Sequence, residues 1–112
     1  MRKNFEVIKG DTLAFGVEIA FDDTPPKVLD SARFSVKKNP DDGYLFSKSL
    51  SDEIQKYKQV DNKLYYRVRV EPADTENLEA GFYYYDFEIK VDGDVFTILK
   101  GLFIVEDDIT RD

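Results

Sequence analysis

Apolar and polar residues alternate with a period of two along most of this chain, the spacing of strands with one buried face. Phe5 and Val7 alternate with Glu6 and Ile8 before Lys9-Gly10-Asp11 breaks the run, and Leu13, Phe15, Val17 and Ile19 then share one face. We read residues 5–21 as the first sheet-forming pair, with Gly16 marking close approach of a neighbouring strand. Asp22-Asp23-Thr24-Pro25-Pro26-Lys27 is a loop, stiffened by two prolines. Ala32, Phe34 and Val36 point inward from the next strand, Asn39-Pro40-Asp41-Asp42-Gly43 forms a turn, and Tyr44–Lys48 gives a short strand.

Residues 51–59 fit two patterns. Leu50, Ile54 and Tyr57 stand at helical spacing, while the surrounding polar residues suit a charged edge strand; we read strand or irregular structure. Asp61-Asn62 marks a turn into the most regular strand, in which Leu64, Tyr66, Val68 and Val70 face the core. Tyr65, Arg67 and Arg69 occupy its other face. After a turn at Pro72 and Asp74, Gly81 opens a strand with Tyr83, Tyr85, Phe87 and Ile89 on one side and Phe82, Tyr84, Asp86 and Glu88 on the other. Asp92-Gly93 between two apolar runs is a strong hairpin signal. The last strand spans about 95–105 with a bulge or kink expected at Gly101, and residues 106–112 form a polar tail.

Seven to eight strands with no long helix predict an all-β, antiparallel β-sandwich, with residues 1–112 as one domain. The turn, Gly81 and Tyr83 resemble the tyrosine corner of immunoglobulin-like sandwiches, in which a tyrosine hydroxyl bonds backbone just upstream. On that reading Asp74, Leu78, Gly81 and Tyr83 are structural: Asp74 caps the turn, and Tyr83 reaches back toward residues 78–80. The chain has no cysteine and no tryptophan, so its seven tyrosines and nine phenylalanines must fill the core without a disulfide.

Composition narrows the function classes. A net charge of −7 and a pI near 4.6 argue against nucleic-acid binding and against an anionic membrane surface. No apolar run is long enough to span a bilayer, and no signal peptide is visible, so folding in a cytoplasm is expected. Without histidine or cysteine the usual bases, thiol nucleophiles and zinc ligands are missing, and we expect no enzyme and no cofactor. The acids cluster in turns. Asp92-Gly93-Asp94 is the best-shaped calcium candidate, but hairpin chemistry accounts for it and no metal is assigned.

Several phrases in order are similar to a family of small phage and prophage virion domains: Lys9-Gly10-Asp11-Thr12, Pro72-Ala73-Asp74-Thr75-Glu76-Asn77-Leu78, Gly81-Phe82-Tyr83-Tyr84-Tyr85-Asp86, and Thr97 to Val105 closing with Asp108-Ile109-Thr110. The family includes immunoglobulin-like modules like the N-terminal domain of the baseplate upper protein. The resemblance implies a tail, baseplate or virion-surface component, made in the bacterial host cytoplasm, that assembles with copies of itself and with other virion proteins. Baseplate upper proteins carry further domains after this module, whereas this sequence stops after it.

The residues placed opposite the core are the interface candidates: Phe82, Tyr84 and Tyr65, with Arg67 and Arg69 as polar anchors on the same nominal face. An alternative is a carbohydrate-binding or adhesin-like module in which Tyr65, Tyr84 or Phe82 stacks on a glycan.

Overall fold

The computed structural model describes residues 2–22, 29–50 and 53–107. Most of the proline loop, residues 51 and 52, and the tail beyond Asp107 lie outside the described residues. The chain is mostly β: β1 (Phe5–Ile8), β2 (Leu13–Ala20), β3 (Ser31–Lys37), β4 (Phe46–Ser49), β5 (Ile54–Val60), β6 (Lys63–Val70), one helical turn α1 (Pro72–Thr75), β7 (Gly81–Val91) and β8 (Asp94–Glu106). The strands form a five-stranded sheet ordered β1-β8-β7-β3-β4 and a three-stranded sheet ordered β2-β6-β5.

β1 and β2 do not pair, contrary to the sequence reading. Gly10, at φ 82°, turns the chain, and its N–H donates to Thr75 Oγ1 at 3.0 Å. The chain thereby crosses from one sheet to the other. β1 instead runs parallel to β8, with Phe5 opposite Phe103 and Val7 opposite Val105, while the other strand pairs are antiparallel. Segment 54–60 is a strand, not a helical turn; it lies at the edge of its sheet with only Ile54 buried. β4 begins at Phe46, two residues later than the sequence suggests, leaving Tyr44 exposed beneath the Arg33 and Lys37 cations at 4.8 and 4.9 Å.

The expected bulge in β8 falls at Ile98 rather than Gly101. Pairing passes from Phe87 opposite Leu99 to Glu88 opposite Thr97, leaving Ile98 as the extra residue. Gly101 serves another purpose, because a Cβ there would lie 2.2 Å from the Lys3 carbonyl oxygen. The segment before β1 lies against it, anchored by Tyr85 donating to that same carbonyl at 2.6 Å and by Asn4 Oδ1 accepting from the Leu102 N–H at 3.0 Å. At Gly16 the crowding comes from the Tyr57 hydroxyl, which would stand 3.2 Å from a Cβ at that position, not from a neighbouring backbone. Asp92 and Gly93, at φ 50° and 87°, make the left-handed two-residue turn that a tight hairpin requires.

The inward faces of the two sheets meet in one core. Val17, Ile19, Leu64, Tyr66, Val68 and Val70 oppose Phe34, Val36, Tyr83, Tyr85, Phe87, Ile89 and Phe103. Phe34 is at its centre, with ring centroids 5.4 Å from Phe15, 5.4 Å from Tyr85 and 6.1 Å from Phe103. Each buried side chain of this size contributes about 1.5–3 kcal/mol, and ring pairs add about 0.5–1.5 kcal/mol.

Candidate functional site

The corner behind β7 has the anticipated construction. Asp74 Oδ2 accepts the Glu71 N–H at 2.7 Å, the Leu78 N–H donates to the Thr75 carbonyl at 3.0 Å, and Leu78 packs against the core. Gly81 leaves the turn at φ 154°, a conformation open mainly to glycine. The Tyr83 hydroxyl donates to the Glu79 carbonyl at 2.6 Å. Burial is the first cause raising the Tyr83 pKa above the ordinary tyrosine value, with the Glu79 charge adding to it.

Sequence reasoning missed the cation that holds this corner. Lys48, only 6% exposed, reaches from β4 to Asp74 Oδ2 at 2.6 Å and also pairs with Glu53. Burial pulls its ammonium pKa down, but hydrogen bonds to Asp74 and then Glu53 outweigh it, and the pKa lies above the ordinary lysine value. A signal existed in the sequence: Lys48 shares strand parity with Phe46, an inward-facing position.

The interface candidates divide into two groups on different sheets. Tyr65, Arg67 and Arg69 lie on β6 in the three-stranded sheet, and each is engaged within the chain. The Tyr65 hydroxyl donates to Glu18 at 2.8 Å, which is the main cause of its raised pKa; Arg67 stacks over Tyr57 at 5.0 Å, and Arg69 pairs with Glu71 at 2.6 Å. Phe82 and Tyr84 lie on β7 in the five-stranded sheet, 63% and 43% exposed. The sequence reading set all five on one nominal face because strand parity separates inward from outward but does not say which sheet a strand joins.

On the five-stranded sheet, Phe82 stands opposite Ile104 and Tyr84 opposite Leu102, both partners being half-buried. This gives an apolar quartet of cross-strand neighbours on the outer face. Beside it runs a polar row formed by register alone: Ser47 opposite Ser35, Ser35 opposite Asp86, Asp86 opposite Lys100, and Lys100 bridged to Arg2. Apart from Ser47, the row lines a groove of about 550 Å³ whose walls include Lys37, Pro40, Tyr84 and Leu102. Ser35 is 1% exposed, and neither its Oγ nor the buried Oδ1 of Asp86 has a hydrogen-bond partner in the protein. Burial raises the Asp86 pKa, Glu88 raises it further, and Lys37 and Arg33 partly offset both.

Among the described residues no three acids converge as a metal-holding cluster, and no helix is long and apolar enough to cross a membrane. Comparison with protein-family models and with curated proteins gave no match.

Proposed function

We propose that this chain is a non-enzymatic structural module of a phage or prophage virion, belonging to the tail, baseplate or virion surface. It folds in the host cytoplasm as an immunoglobulin-like sandwich and works by assembling with its own copies and with other virion proteins. The strand order supports the fold reading: β2-β6-β5 and β8-β7-β3 correspond to the B-E-D and G-F-C neighbours of that sandwich, with the corner tyrosine near the start of β7 as the F strand.

The observation that carries assembly is the Phe82, Tyr84, Leu102 and Ile104 quartet, which puts an exposed aromatic pair beside two half-buried aliphatic residues on a sheet face. Light scattering on the purified protein tests it. Oligomers are expected at concentrations up to about 1 mM, and the Phe82→Ser/Ile104→Ser variant is expected to be monomeric with an unchanged melting temperature. A wild-type protein that stays monomeric across that range overturns self-assembly.

A second reading, carbohydrate binding, is favoured by the polar groove next to Tyr84. Tyr65 takes no part in it, since that ring lies on the other sheet.

A further inference from the structure

We infer that two copies of this chain associate through the outer faces of their five-stranded sheets as a twofold dimer, in which β8 of one copy runs antiparallel to β8 of the other. The inference rests on the self-assembly reading and adds the orientation and the charge contacts of that interface.

Strand register orders the outer face. Along β8 the outward residues run Lys100, Leu102, Ile104, Glu106, which is one cation, two aliphatic side chains and one carboxylate. The neighbouring strands follow the same order. On one side of the apolar quartet Arg2 is bridged to Lys100 and Lys37 stands opposite Tyr84, with the Asp86 carboxylate offsetting one of these three charges. On the other side Glu6 stands opposite Ile104, and Ile8 opposite Glu106. Lys9 adds no free cation there, because Asp107 pairs with it at 3.2 Å. Arg2, Glu6, Lys100 and Glu106 are all exposed, and among the described residues no ion pair engages any of them. The face therefore has a positive end and a negative end, with the quartet between them.

Such a face is complementary to itself in one orientation. Sheets stacked face to face keep their strands within about 30° of each other, so the strands of two copies run either the same way or reversed. A twofold axis along the strands would set carboxylate on carboxylate and cation on cation, which costs affinity. A twofold axis across the strands, passing between Leu102 and Ile104, reverses one copy. Leu102 then meets Ile104 of the other copy, Phe82 meets Tyr84, and Lys100 meets Glu106, each contact being made twice. Each copy carries a net charge of −7, which opposes association at long range; opposite charges paired at the seam counter it. Four rows about 6.8 Å apart on three strands about 4.8 Å apart give a patch of roughly 400 Å² per copy. That is a small interface, suited to a dissociation constant between about 10 μM and 1 mM.

Sedimentation velocity on the full chain at about 0.1 M salt tests the charge contacts. Lys100→Glu and Glu106→Lys each turn both copies of the contact repulsive and are expected to weaken dimerisation about tenfold. The double variant Lys100→Glu/Glu106→Lys exchanges the charges and is expected to dimerise within about threefold of the wild type. Cysteine variants read the orientation without any charge reversal. In the dimer, position 100 lies near position 106 of the other copy and about 20 Å from its own counterpart, too far for a disulfide. An oxidised mixture of Lys100→Cys and Glu106→Cys chains is expected to cross-link, whereas either variant alone is not. Should Lys100→Glu, which stands opposite Asp86, melt below the wild type, the cysteine mixture decides. A wild-type dimer that ignores the charge reversals, or that cross-links through either cysteine alone, overturns this orientation and leaves self-assembly standing. A wild type that is monomeric up to about 1 mM overturns both.

Discussion

Replacing Lys48 by methionine keeps most of the side-chain volume and removes the positive charge that the buried corner places between two acids. Asp74 and Glu53 then keep side chains only 16% and 24% exposed, without the ammonium that joined them. Breaking a buried pair by removing one partner costs about 3–5 kcal/mol, and the partial exposure of both acids reduces this to roughly 2–4 kcal/mol. Against a total stability of about 5–15 kcal/mol, that is a large share, equivalent to a fall in melting temperature of about 8–16 °C for a chain of this size. Urea denaturation at neutral pH measures it, with an unchanged slope confirming that the same surface unfolds. The double variant Lys48→Met/Asp74→Asn should recover about 1 kcal/mol or more, since asparagine still caps the Glu71 N–H and removes one of the two stranded charges. A loss below about 1 kcal/mol for Lys48→Met would refute the reasoning, because that is the worth of a solvent-exposed pair.

Two further outcomes follow from the same packing. Gly101→Ala should cost about 1–3 kcal/mol, as the new methyl group displaces the Lys3 carbonyl, and the amide signals of residues 3–5 should move with it; unchanged signals there would show that the N-terminal segment does not lie against β8. Stability should also fall in alkali. Burial pushes the Tyr85 pKa up to about 12 and raises those of Tyr66 and Tyr83, and Lys48 is raised as well. Groups that hold protons more tightly when folded stabilise fully below their unfolded pKa values, near 10, and that stabilisation disappears as pH rises through the folded values. Tyr85 alone accounts for roughly 3 kcal/mol of it, so Tyr85→Phe should flatten the fall between about pH 10 and pH 12; a wild-type denaturation midpoint that stays constant over that range contradicts the shift.

Strand parity was legible in the sequence because burial on one face leaves a period of two, and the partition in β6 and β7 follows it residue by residue. The corner was legible for a different reason: its contacts are local, linking Glu71 to Asp74 and Glu79 to Tyr83. What stayed hidden depends on contacts distant in sequence. Whether β2 pairs with β1 or with β6 is decided by the sheet each strand joins, and no local spacing encodes that. The same ignorance placed Tyr65 beside Tyr84, although β6 and β7 belong to different sheets. Ser35 looked like an ordinary outward position on an alternating strand; only the neighbours brought by β7 and β8 make it the floor of a groove. Lys48 was overlooked because a lysine at an inward position reads as an edge residue until two acids from other segments close around it.

The parallel pairing of β1 with β8 has a mechanical consequence. Chain enters β1 near Lys100 and leaves β8 beside Ile8, so the two ends depart in opposite directions along one shared ladder. Tension applied between residue 3 and residue 107 therefore slides the two strands lengthwise and loads their hydrogen bonds together, instead of unzipping them one at a time. A fold wired in this way meets a pull on its two ends with the whole β1–β8 seam at once.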